Sequence, residues 1–427
     1  MKVSCLFTAF TIFVGFAFPA NAQDDLSEFA QLADVTDDAE AEAGGLADED
    51  DVMYEDESFL DFIWTLPVIY ENDENPLIQE ARVTGLYQWQ TAEVEPRESK
   101  LKSARESETR RARIGGLIRT LYNVEIEGQV DLDGNDNFSY DGIDELTVSY
   151  TTEGGTRLEA GKMRVPFSYE GATHSQQLPV MERSLLVDQI LPSKTTGISL
   201  SGPIDETNWS YFAGVFSGER SREFGDFGDG VFYMARLEYD FRKAAMDAAR
   251  EQKKNDKDKA NDDAPIDALD REKFHFDYVY NADVDKNTAL QPFRHMFATG
   301  IELEKGRFGF AGDLIYATGN VDLWGITAMP WVYLIEDKLQ FVARYSYADT
   351  DDVDGLVLRP RYEQLSQGIT KITGDEYHSF YAGLNYYIHE NNLKLMSGLE
   401  YSVMNEERSR NRVYKGWTWM SGVRVSF

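Results

Sequence analysis

Trp417-Thr418-Trp419-Met420-Ser421-Gly422-Val423-Arg424-Val425-Ser426-Phe427 closes the sequence, and its alternation decides the fold. Every odd position except Ser421 is apolar, while the even positions are mostly small or polar. A period of two over this length gives one strand with one face in an apolar medium and the other in water. Two tryptophans at one end and a phenylalanine at the other match the aromatic girdles of a membrane barrel. A soluble edge strand also alternates, but it rarely exposes a terminal Phe. The expectation is an all-β protein: a transmembrane antiparallel β-barrel closed by this strand.

The opposite end of the sequence agrees. Lys2, the apolar run Cys5 to Phe18 and the small residues Ala20-Asn21-Ala22 read as a secretory signal peptide over residues 1–22. Cys5 is the single cysteine, so past that peptide no disulfide or thiolate metal site is expected. Hydrophobic residues make up only 42% of the chain while Phe, Trp and Tyr reach 13%, which suits a barrel whose alternate residues meet lipid better than a helical membrane protein.

Charge divides the chain. Residues 23–81 hold 20 Asp and Glu and no Lys or Arg, whereas residues 82–427 hold 55 acids against 41 bases, a net −14. Residues 23–80 are therefore expected as an acidic periplasmic segment, largely irregular or weakly helical, and residues 81–427 as the barrel. A solvated leader is the plain reading of the acidic run. A structural or receptor-type barrel, whose acidic segment binds a periplasmic or envelope partner, is the alternative to a channel.

Alternating segments recur along the barrel region. They predict sixteen strands at 81–92, 109–119, 121–132, 143–151, 156–164, 195–202, 207–217, 231–242, 272–281, 293–304, 306–317, 323–334, 338–349, 377–388, 392–404 and 415–427. Every second connection is short and the intervening ones are long, as expected for periplasmic turns and outer loops. Residues 318–322 break the rule as a short outer loop. Residues 243–271 break it as a long charged periplasmic insertion.

Gly161-Lys162-Met163-Arg164-Val165-Pro166-Phe167-Ser168 and Met181-Glu182-Arg183-Ser184-Leu185 are followed by Gly197-Ile198-Ser199-Leu200-Ser201-Gly202 and Trp209 to Gly218. With Arg110-Arg111-Ala112-Arg113-Ile114-Gly115-Gly116, these blocks resemble the phosphate-selective porins O and P, outer-membrane barrels of that name. The resemblance implies a sixteen-stranded, trimeric channel that passes anions or other small hydrophilic solutes by diffusion. It also implies that residues 165–194 fold inward as a constriction loop. An anion-selecting eyelet needs Lys or Arg, and the candidates near the loop are Arg164, Arg183 and Lys194, with Glu182 and Asp188 as opposing charges. Arg183 paired with Glu182 or another carboxylate is the competing structural reading. Pro166, Phe167 and Leu185 read as loop packing.

Opposite the lipid-facing positions lie Glu125, Glu127, Asp131, Glu302, Glu304, Asp313 and Glu400, with Arg157, Arg344, Lys394 and Arg424 among them. That balance predicts weak selectivity and easier passage of cations. The five histidines show no metal-ligand spacing, and no nucleophile elbow or phosphate loop is present, so neither cofactor nor enzyme activity is expected. The implied partners are small solutes or ions, outer-membrane lipid and two further copies in a homotrimer. Nucleic acid is excluded by the acidity.

Overall fold

The computed structural model describes residues 59–427 except 76, 99, 121, 191, 193, 206, 243–270, 291, 359–361, 368–370 and 407–410. The expected signal peptide, most of the acidic segment and nearly all of the insertion at 243–271 lie outside the described residues.

Sixteen strands form the barrel. The first eight are β1 Glu80–Pro96, β2 Ala104–Arg119, β3 Val124–Asp133, β4 Ser139–Thr151, β5 Arg157–Arg164, β6 Lys194–Pro203, β7 Trp209–Ser217 and β8 Val231–Asp240. The second eight are β9 Arg271–Asn281, β10 Phe293–Lys305, β11 Phe308–Gly319, β12 Leu323–Ile335, β13 Leu339–Thr350, β14 Glu376–His389, β15 Leu393–Glu406 and β16 Asn411–Ser426. Each pairs antiparallel with its neighbours, and β16 closes on β1 in the register Trp419↔Glu93 and Val425↔Tyr87. Closure satisfies the backbone groups that an edge would leave bare in hydrocarbon.

The decisive strand has the expected faces. Thr418, Met420 and Arg424 point inward and are buried, whereas Trp417, Trp419, Val423 and Val425 stay partly exposed on the outside. The short turns 120–123, 152–156, 204–208, 306–307, 336–338 and 390–392 define the periplasmic end. The short outer connection at 320–322 is a genuine feature, with no further strand beside it among the described residues.

One expectation needs correction. The loop predicted at 93–108 shrinks to 97–103, because β1 and β2 stay paired as far as Val94↔Ala104. Glu93, Glu95, Arg105 and Ser107 are exposed on the outer face there while Ala92 and Val94 are buried inside, so the apolar side changes face while the hydrogen-bond ladder continues. In the segment expected to be irregular or weakly helical, a helix at Phe59–Thr65 and a short strand at Val68–Glu71 precede the barrel.

Gly161, of the Gly-Lys pair, has φ +138°, and a Cβ there would lie 2.1 Å from the Leu146 carbonyl oxygen. Only glycine fits this crossing of β5 over β4.

Candidate functional site: a loop-narrowed lumen

Residues 165–193, between β5 and β6, turn into the barrel. Phe167 and Leu185 are fully buried in the core they form with Phe216, Phe232 and Ile315, so the packing role expected for them is present. Entry to the loop is strained: Ser168 adopts φ 62°, costing on the order of 1–2 kcal/mol for a non-glycine residue. Two carboxylates on the wall hold it there. Asp277 on β9 accepts the Ser168 N–H at 2.8 Å, and Asp313 on β11 accepts the Tyr169 N–H at 3.0 Å. Arg236 on β8 donates to the Pro166 carbonyl at 3.1 Å.

The loop then follows the wall. Arg344 on β13 binds Glu170 at 3.3 Å, the Glu182 carbonyl at 2.8 Å and Glu400 on β15 at 3.1 Å. Asn385 on β14 donates to the Pro179 carbonyl at 2.7 Å. Lys394 on β15 donates to the Leu178 carbonyl at 3.4 Å. Arg424, on the closing strand β16, gives its guanidinium to four loop carbonyls, those of Ser175, Leu178, Val180 and Met181, at 2.7–3.1 Å. A second loop joins this wall: the Tyr362 hydroxyl, from the outer connection 351–375, donates to Glu108 at 2.8 Å and also meets Gln90.

Six of the seven carboxylates expected to colour the lumen are thereby engaged. Glu400 and Asp313 hold or support the loop, Glu125 takes Arg119 and Arg157, and Asp131 takes Arg113. Glu302 and Glu304 share Arg271. Glu127 alone of the seven makes no ion pair among the described residues. The loop takes up Asp313 directly and Glu400 through Arg344, and strand arginines take up the other four.

Beside the loop, on the side of β2–β5, lies a cavity of about 280 Å³ with eight bases and three acids among its lining residues. Its inner wall carries Arg111, Arg113, Arg164 and Lys194, and its outer approach carries Lys162, Arg220 and Arg222. Arg113 pairs with Asp131 at 2.6 Å and Asp144 at 2.9 Å, and Lys194 contacts Asp144 and Glu145. Arg164 is 3.7 Å from Glu145, and Arg111 donates to the neutral Gln88 side chain at 2.7 Å. Bases exceed acids, and Arg111 has a neutral partner.

Two irregularities create this cluster. Between Gln88 and Trp89 the β1–β2 register slips, Gln88 facing Arg111 and Trp89 facing Thr109, so Arg110 is an extra residue on β2. A bulge lets two consecutive side chains share one face. Arg110 accordingly reaches the loop, donating to both oxygens of Glu182 at 2.8 and 3.0 Å, while Arg111 lines the cavity. A second slip, between Gln129 and Val130 in the β3–β4 pairing, places Asp144 and Glu145 within reach of one lysine.

The five sequence candidates separate. Arg164 and Lys194 line the cavity. Arg183 borders it, but its guanidinium is spent on the loop's own carbonyls, Glu170 at 2.7 Å and Thr173 at 2.8 Å. It braces the loop through these carbonyls and not through Glu182. Burial, with Arg164 adding to it, brings the Arg183 pKa down to about 10. Glu182 is taken by Arg110; burial opposes its ionisation, but Arg110 and Arg111 overcome that and hold its carboxyl well below the usual range. Asp188 sits on the short helix Leu185–Ile190, and burial pushes its carboxyl up to about 7 despite Arg183. Arg111, Arg113 and Lys162 also line the cavity but were not among the candidates. The Arg110-Arg111-Ala112-Arg113 run was the available signal, but strand parity alone points Arg110 and Arg111 to opposite faces.

A closed sixteen-strand barrel narrowed by an inward loop, with short turns at one end and long loops at the other, is the architecture of an outer-membrane diffusion channel. The family model for the phosphate-selective porins O and P matches residues 82–316, more than half of the chain, and the protein belongs to that family. No curated protein sequence matches it. Among solved structures, it is similar to the outer membrane channel DcaP of Acinetobacter baumannii at 10% identity and a TM-score of 0.51, covering 82% of this chain and 97% of that one. OmpT of Vibrio cholerae, an outer membrane protein, gives 11% identity and a TM-score of 0.46 over 82% of this chain and 97% of that one. At such identity the DcaP likeness speaks for a shared fold. The protein is an outer-membrane porin, and its family and fold are those of a channel and not an enzyme.

Proposed function

We propose that this porin passes small anions, oxyanions of the phosphate class among them, and selects them at Arg111, Arg113, Arg164 and Lys194. The observation that carries the reading is the excess of bases around the cavity beside the loop. In a narrow, partly dry passage a fixed cation lowers the cost of shedding water from an anion and raises that cost for a cation. Planar-bilayer recordings test it. In a potassium chloride gradient the reversal potential should take the sign of chloride permeation, and added phosphate should reduce the chloride current. A cation-signed reversal potential overturns the reading.

The channel is proposed to act as a homotrimer whose copies meet along β2–β6. Exposed outward side chains there are largely aliphatic, including Ile114, Ile118, Ile126, Leu146, Val148, Leu158, Ile198 and Leu200. From β8 to β16 the outward face carries rings such as Tyr233, Phe276, Tyr316, Trp324 and Phe380. Aromatic girdles belong at lipid interfaces, so the sector poor in rings suits protein contact. Cross-linking through cysteines placed at Ile126 and Ile198 should give trimers, and cysteines at Phe276 and Phe380 should not.

A further inference from the structure

At the periplasmic end β1 outruns its partner. The last residue, Phe427, exchanges backbone hydrogen bonds with Gly85 at 2.9 and 3.1 Å, so the segment of β1 below Gly85 extends past the end of the β16 row. The chain just before β1 takes over that row. Val83 donates to the Pro67 carbonyl at 2.9 Å, and Val68–Glu71 pairs with Arg82, Ala81 and Glu80. Slightly upstream, Trp64 donates from Nε1 to the Ser426 carbonyl at 2.7 Å and stacks on His389 at a centroid distance of 4.5 Å. One tryptophan therefore touches both the closing strand and the end of β14, where the last periplasmic turn begins.

The remaining surface of this segment is apolar. Phe62, Leu66, Ile69 and Leu77 are 53%, 61%, 70% and 75% exposed. Large apolar residues this close together and this bare mark a contact surface. Tyr70, 36% exposed, lies on the strand that prolongs the β16 row and pairs with Ala81, with Ile69 at the slip just before it, so this ridge adjoins the lipid-facing side of the barrel, where Phe427 is also exposed.

We infer that residues 62–78 form an interfacial anchor, with Phe62, Leu66, Ile69 and Leu77 in the headgroup–acyl boundary of the inner leaflet and Trp64 clamping the anchor to the barrel seam. The occupant is lipid because the ridge adjoins a face already in lipid and lies at its periplasmic rim. Amphipathic interfacial segments bind by buried apolar area in this way.

Cys5→Ser leaves the full chain without cysteine, which permits a polarity-sensitive fluorophore to be placed on Leu66→Cys or Ile69→Cys, with Glu74→Cys as control. In phosphatidylcholine vesicles, with an inserted barrel verified by its conductance, labels at 66 and 69 should emit at shorter wavelength than at 74. Nitroxide lipids labelled near the headgroup should quench them. Water-like emission at both sites in a conducting barrel overturns the inference. A blue shift without nitroxide quenching means that protein covers the ridge, and overturns it as well. Both substitutions are on exposed side chains, and the two sites report independently of each other.

Discussion

Along β8–β16 the inward Arg236, Asp277, Asp313, Arg344, Lys394 and Arg424 hold the constriction loop, while along β2–β5 Arg110 reaches that loop and Arg113, Asp131 and Asp144 meet one another beside the cavity. Arg424 and Arg113 show the difference. Both are inward arginines on barrel strands, yet Arg424 is fully buried under four loop carbonyls and Arg113 lines the cavity beside Asp131 and Asp144. A cation capped by neutral carbonyls behind a loop is an anchor. A cation at the surface of a narrow water-filled space acts on passing ions. The same residue type on the same face of one sheet thus does two jobs, and the loop's path decides which.

Changing one charge on each wall is the strongest way to break this contrast. Arg111→Glu exchanges a base for an acid beside Lys194 and Arg164, and should lower the anion-to-cation permeability ratio by about tenfold, as for a change of about 1.4 kcal/mol in the relative barrier. Reversal potentials measure it. Glu400→Gln, behind the loop, should leave that ratio nearly unchanged, and equal shifts for the two variants would erase the distinction between the walls.

Anchoring comes next in size. Arg424→Ala leaves four carbonyls without their donor and should cost on the order of 3 kcal/mol of loop attachment. The expected readout is a larger and noisier single-channel current with little change of selectivity. An unchanged conductance would mean that the other anchors suffice to hold the loop.

Trp64→Ala should lower the midpoint of thermal unfolding, by the equivalent of about 1–2 kcal/mol, through loss of one hydrogen bond and one stacked ring pair. It touches neither wall of the lumen, so ion selectivity should not move. Heat-modifiable gel mobility provides the unfolding readout.

The smallest effect concerns pH. Asp188 has its pKa raised from the ordinary 3.8 to about 7, so the folded loop holds a proton more tightly than the unfolded chain. Stability from this group is fully present below pH 3.8 and is lost as pH rises through 7. Asp188→Asn should remove that loss, making loop stability flatter between pH 5 and 8. Single-channel noise recorded across the range will show whether it does.

Much of the barrel was legible because lipid imposes a rule on individual residues. A strand in hydrocarbon must alternate, so Phe380, Ala382, Leu384 and Tyr386 announce a face without knowledge of their neighbours. The Gly161-Lys162 block likewise marked where the wall gives way to an inward loop. The rim was harder, since in the extended hairpin at Val94↔Ala104 the charged Glu93, Glu95 and Arg105 turn outward and the apolar Ala92 and Val94 turn inward.

Arg164 and Lys194, which line the cavity, were legible as candidates through their place beside the loop, but Arg111 was not. Its orientation depends on a slip of one residue against β1, and register is a property of two strands. The lumen's charge was obscured for a related reason. Asp313 and Glu400 are acidic in the sequence, yet each meets a group brought from far along the chain, the Tyr169 N–H and Arg344. Local alternation, set by the solvent on each side of a strand, was enough to determine the barrel. Which charges meet passing ions is set by contacts between distant residues, and the tertiary structure alone decides it.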